Sequence, residues 1–162
     1  MNVYLIRHAI AADPQPGQAD ADRPLTAEGI ERFRRAVRGM EHLGIQLNKI
    51  YYSPFRRAVQ TTVILGPLQG QAVETPLLTL PPSPGLLDLL EDQCALVGHE
   101  PDLSALASWL LCGTRDFTAQ FPFKKGGVLW LEGLPQPGQM QLRAALPPKV
   151  LRALGGLQLE KK

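Results

Sequence analysis

Cysteine is scarce in this chain: Cys94 and Cys112 are its only two. They form no CxxC pair, so neither a disulfide framework nor a paired-cysteine motif is available. Both sit among apolar residues and read as buried free thiols, which suits a reducing compartment. Long hydrophobic runs are missing too. The N-terminal MNVYLIRH meets a charge after six residues, too early for a signal peptide, and no other segment approaches spanning length. The expectation is a cytoplasmic protein with no membrane partner. Charge of one sign is lacking as well. The 17 basic and 15 acidic residues leave a net charge of +2, too mild to suggest nucleic acid. Nucleotide-cradling motifs, GxxxxGK(S/T) and GxGxxG, are absent. His8, His42 and His99 lie far apart and form no HExxH, so zinc is not expected. A serine nucleophile would lack its GxSxG elbow.

What is present suits one α/β domain over residues 1–162, with 44% hydrophobic and 20% charged residues. Residues 2–6 read as a buried strand beginning almost at the first residue. Residues 11–24 carry Pro14, Pro16, Gly17 and Pro24 and form a loop. Thr26 is a plausible N-cap, and Ile30, Phe33, Val37 and Met40 give the following helix a buried face, with Gly44 as its stop. A second strand at 49–52 leads to a helix with Ser53 as N-cap and Pro54 at its first position, running to about Leu65. Further strands are expected within 71–80 and at 93–97, 128–131 and 141–145. Short helices are expected at 86–90 and 149–154. A longer one opens at Pro101, with Leu103, Leu106, Ala107 and Leu110 on one face. Gly133 to Gly138 reads as a turn between antiparallel strands. The alternation predicts a mostly parallel central sheet, helices on both faces, and an antiparallel edge near the C-terminus.

Three strands run directly into polar turns: Arg7-His8, Ser53-Pro54-Phe55-Arg56-Arg57 and Gly98-His99-Glu100. Ligands of open α/β sheets gather at the carboxyl ends of the strands. Two histidines and at least two arginines are therefore expected along one edge, as an anion site containing imidazole. Arginine at a helix N-terminus opposes the macrodipole, a conflict that a bound anion would relieve. Helical periodicity does not choose between Arg56 and Arg57. His42, in EHLG, reads as a solvated surface residue. Lys124-Lys125 before Gly126-Gly127 reads as a solvated turn that could extend a basic rim.

These residues resemble the histidine phosphatase superfamily, the phosphoglycerate mutase-like group, and most closely its small SixA-type phosphohistidine phosphatases. Arg7-His8 is similar to the RHG signature. Asp22-Arg23-Pro24-Leu25-Thr26 resembles the (D/R)RPLT segment. Ser53 to Thr61 resembles SPxxRAxQT, and Gly98-His99-Glu100-Pro101 resembles GHxP. The resemblance implies a phosphoglycerate mutase-like fold, His8 as a transiently phosphorylated nucleophile, and Arg7, Arg57 and His99 as phosphate ligands. Arg23 is implied at the pocket mouth. The SPxxR spacing selects Arg57 over Arg56. No metal or other cofactor is implied.

Two departures stand out. Ala9 replaces the usual Gly of RHG, and Ala limits the backbone more than Gly does. Residues 75–87 contain no Asp or Glu, whereas larger members carry an acidic proton donor in that region. Glu74, Asp88, Glu91 and Asp92 flank the gap and could reach the site. The resemblance and the missing acid together point to a phosphorylated protein substrate, dephosphorylated at histidine in a signalling or phosphorelay partner. A phosphatase of small phosphoesters or phosphoanhydrides, and an inactive phosphate-binding module, stay open as alternatives.

Overall fold

Strand β1, Asn2–Arg7, alternates its side chains between two hydrophobic clusters: Tyr4 and Ile6 join one, Val3 and Leu5 the other. Alternation with both sides apolar is the pattern of a strand covered on both faces. The computed structural model describes residues 1–158. Helix α1 (Ala27–His42) supplies Phe33, Val37 and Met40 to the first cluster. It is capped as expected: Thr26 Oγ1 accepts from the Gly29 amide at 2.9 Å. Gly29 has a second role, because a Cβ there would lie 2.2 Å from the Ile10 carbonyl oxygen. Only glycine lets the helix start approach the segment that leaves β1.

Strand β2 (Lys49–Tyr52), helix α2 (Arg56–Ile64), strand β3 (Gln71–Glu74), the single-turn helix α3 (Pro84–Leu87) and strand β4 (Cys94–Gly98) follow. Helix α4 (Asp102–Cys112) covers the second face with Leu103, Leu106, Ala107 and Leu110. Strands β5 (Val128–Gly133) and β6 (Met140–Leu146) precede helix α5 (Pro148–Leu154). The six-stranded sheet has the order β3-β2-β4-β1-β5-β6. Neighbours from β3 to β1 are parallel, and β5 is antiparallel to both β1 and β6. The expected fold class is therefore found. No described helix is long and apolar enough to cross a membrane.

Three local expectations need correction. Helix α2 begins at Arg56, not at Ser53, and its N-cap position is Phe55. The Ser53 hydroxyl is engaged by His99 instead, and Pro54 and Phe55 form a short lead-in. Helix α3 begins two residues before the expected 86–90, because Ser83-Pro84 starts the turn. Cys94 is buried, but Cys112 is exposed. Cys112 lies two positions past Leu110 in a helix of 3.6 residues per turn, so it faces away from the buried side.

Candidate active site

The chain leaves β1 for α1, on one face, and leaves β4 for α4, on the other. The adjacent carboxyl ends of β1 and β4 form the crevice where an α/β sheet places its ligands. Arg7 pairs with Gly98 in the register of these strands, and the His8 amide donates to the Gly98 carbonyl at 3.2 Å. This register brings His8 and His99 together, with ring centroids 5.2 Å apart.

His8 is 5% exposed, and both its ring nitrogens are accounted for. Nδ1 lies 2.7 Å from the Ala9 carbonyl oxygen, and Arg57 Nε donates to Nε2 at 3.3 Å. A carbonyl only accepts and a guanidinium only donates, so the proton sits on Nδ1 and the lone pair on Nε2. Burial pushes the His8 pKa down to about 3; the charges of Arg57 and Arg7 and the neighbouring His99 add to this, against the Ala9 hydrogen bond. The ring is a neutral imidazole at pH 7, of fixed tautomer.

His99 is held from the other side. Ser53 Oγ lies 2.7 Å from Nε2 and also accepts weakly from the Phe55 amide at 3.3 Å. The Phe55 ring packs on His99 at 5.0 Å, and the Arg57 guanidinium lies 5.0 Å from the same ring. Burial first, then Arg57 and Arg7, lower the His99 pKa to about 4. His99 Nδ1 and Arg7 Nε are buried without a partner among the described residues. Arg7 Nη1 donates to the Phe123 carbonyl at 2.6 Å.

Burial distinguishes the two arginines. Arg57 is 6% exposed, whereas Arg56 points to solvent. Two further residues of the same motif fasten the site. Thr61 Oγ1 accepts from the Ala9 amide at 3.0 Å and donates to the Arg57 carbonyl at 2.7 Å. Gln60 Oε1 accepts from the Leu25 amide at 2.7 Å. Ala9 is buried and has no positive φ, so alanine in place of glycine carries no backbone strain.

The carboxylate at the site is Asp20, which sequence reasoning missed. It lies in a single 3₁₀ turn, Asp20–Asp22, within the 11–24 loop. Its Oδ2 is 2.9 Å from Arg57 Nη2, and its carbonyl accepts from Nη1 at 2.7 Å. Its Oδ1 pairs with Arg23 Nη1 at 2.9 Å. Hydrogen bonds from Arg23, then Arg57, hold its pKa below the usual carboxylate range. Arg23 also donates to the Ala12 carbonyl, and it joins the site through Asp20, without touching His8. The one available signal was the arginine-rich start of α2, which called for an anion.

The flanking carboxylates do not take that place. Glu91 pairs with Lys49, the first residue of β2, and Asp92 accepts from the Asn2 amide at the start of β1. Both sit at the opposite end of the sheet. Among the described residues, no hydrogen bond or ion pair links Glu74 or Asp88 to His8, Arg57 or His99. His42 is exposed, but its Nδ1 lies 2.8 Å from the Leu154 carbonyl oxygen at the end of α5, so it is not purely solvated. No metal-binding group of three or more His, Cys, Asp or Glu side chains occurs among the described residues.

Residues 3–78 match the model of the histidine phosphatase superfamily, branch 1. An uncharacterised protein from Picosynechococcus is 31% identical over 141 residues, covering 81% of this chain and 84% of that protein. The fold is similar to that of a SixA protein from Agrobacterium tumefaciens, with a TM-score of 0.76, 24% identity, and 91% and 97% of the two chains covered. A protein histidine phosphatase SixA complexed with tungstate gives 0.77, 23%, 93% and 99%. A phosphoserine phosphatase from Entamoeba histolytica gives 0.71, 17%, 93% and 98%. Relatives and the ordered motifs of the site agree: the chain belongs to the histidine phosphatase superfamily.

Proposed function

We propose that the protein is a metal-independent phosphatase that removes the phosphoryl group from phosphohistidine on a partner protein, through a phosphorylated His8. The observation that carries the chemistry is His8 itself: a neutral ring, its proton fixed on Nδ1, with the Nε2 lone pair beside Arg57. In the first step that lone pair attacks phosphorus. The bond from phosphorus to the leaving nitrogen breaks, and its electron pair stays on the departing group. Arg7, Arg57 and His99 surround the equatorial oxygens, and positioning with electrostatics supplies most of the acceleration. The two unpartnered buried groups, His99 Nδ1 and Arg7 Nε, suit oxygen ligands. The approaching dianion raises the proton affinity of His99. Water then attacks the phosphoryl group on His8, inorganic phosphate leaves, and Nε2 recovers its lone pair.

The substrate class follows from Asp20. An alkoxide leaving group needs a proton as its bond breaks, but two arginines keep Asp20 ionised. A phosphorylated imidazole can carry a proton on its other nitrogen and leave neutral, without a dedicated acid. Phosphohistidine is therefore favoured over alkyl phosphates. The test combines trapping with comparison. A radiolabelled phosphodonor should give an acid-labile, base-stable adduct, lost in His8→Ala. A phosphohistidine-bearing domain should show a higher kcat/KM than sugar or glycerate phosphates. Full turnover by His8→Ala would refute the nucleophile, and a preference for an ester would refute the substrate class.

A further inference from the structure

The turn at Lys124-Lys125 is bonded to the site. The Gly126 amide donates to the carbonyls of both Arg7 and His8, at 3.1 and 3.0 Å, and the Arg7 amide donates to Gly127. Beyond this turn a trough of about 720 Å³ runs between the 122–127 segment, α1 and α5. Six cations line it: Arg7, Arg32, Lys124, Lys125, Lys149 and Arg152. None of its lining residues is a carboxylate. Arg32 pairs with Glu28 at 2.5 Å. The other five have no ion-pair partner among the described residues. In a chain with 17 basic and 15 acidic residues, so uneven a distribution makes a local positive field that opens onto the site through Arg7.

We propose that this trough docks an acidic surface of the phosphoprotein substrate, next to its phosphorylated side chain. The proposal rests on the phosphoprotein reading above. Two observations support a protein as the occupant. Arg7 belongs both to the phosphate site and to the trough, so a polypeptide bearing a phosphoryl group at His8 has its adjacent surface over Lys124 and Lys125. The lining also includes Ile10, Phe123 and the 46%-exposed Val150. Cations interleaved with apolar side chains match an acidic protein face with apolar contacts, and leave a bare polyanion half-matched. Charges of this kind, at a rim, set association rate and partner choice more than the chemical step.

The test uses the full chain and a Lys125→Glu/Lys149→Glu variant, neither residue being in the phosphate site. The probes are phosphohistidine peptides with acidic or neutral flanks, phosphoramidate as a small donor, and tripolyphosphate. The variant should lose roughly 10-fold or more in kcat/KM on the acid-flanked peptide, mostly in KM. On phosphoramidate it should stay within about twofold, since only the long-range field changes. The wild-type preference for acidic flanks should shrink as salt is raised. Equal treatment of both peptides by the two proteins would overturn the docking surface. A loss confined to tripolyphosphate would overturn the protein assignment. If wild type hydrolyses phosphoserine peptides but no phosphohistidine, the substrate reading fails alone. The same charge-reversal comparison on acid-flanked phosphoserine peptides then decides the trough.

Discussion

Acidification should destabilise this protein through two buried histidines, and the size of the effect can be worked out. His8 and His99 are 5% and 8% exposed, with pKa values lowered to about 3 and about 4. In the unfolded chain each returns to about 6.5. Between these limits the unfolded state binds more protons than the folded one, so stability falls as pH falls from about 6.5 towards 4. At about pH 5 an unfolded histidine is almost fully protonated, while both native rings are still mostly neutral. Each then costs about 2 kcal/mol relative to pH 7, or about 4 kcal/mol together. The result depends little on how far below 5 the native values lie. Against a typical total of about 5–15 kcal/mol, such a loss is large. Urea denaturation at the two pH values should show it as a lower midpoint. In a His8→Asn/His99→Asn variant most of the difference should vanish, because asparagine does not titrate. The comparison removes the contribution of every other group, including Asp102, whose pKa burial raises. An unchanged pH dependence in the variant would show that the native rings are not held neutral. The basis for His8 as a ready nucleophile would fall with it.

Arg57→Ala should lower kcat/KM by roughly 100-fold or more, whereas Arg56→Ala should stay within about twofold, since only Arg57 touches His8; a common substrate measured with both variants checks this. Asp20→Asn should tighten inhibition by inorganic phosphate by about fivefold, because a carboxylate no longer competes for Arg57, with the gain fading in high salt. A weaker Ki would show instead that Asp20 mainly orients Arg57. Ser53→Ala should cost about 1–2 kcal/mol in denaturant unfolding by leaving His99 Nε2 unpaired, and should lower kcat more than it raises KM.

Most of the fold was legible because its elements begin and end on strong local signals. Thr26, the turn from Gly133 to Gly138, and the apolar run of β4 each have a simple local cause. The ordered motifs also singled out His8, Arg57 and His99, three residues far apart in sequence that the fold brings together. What the sequence concealed were contacts between segments. Asp20 sits in a Pro- and Gly-rich loop, and no periodicity shows that it folds onto Arg57, 37 positions later. Ser53 was read by its local habit as a cap, but a histidine 46 positions away claims its hydroxyl. Cys112 was judged by its apolar neighbours when its angular position on α4 decided the matter. Burial separated Arg56 from Arg57, and helical spacing did not.

Strand order has a consequence for how the molecule is made. β4 lies between β1 and β2, so the first two strands never pair with each other. A nascent chain that ends before residue 94 holds two of the three polar turns but has no strand to join them. The stretch that matches the family model, residues 3–78, therefore lacks the strand that joins β1 to β2. The gap closes only when β4 is inserted in parallel with both neighbours, a non-local event of the kind that slows folding. That same insertion delivers His99 to His8. Acquisition of phosphate affinity during refolding should coincide with the last major gain of sheet, and a C-terminal truncation within α3 should yield neither.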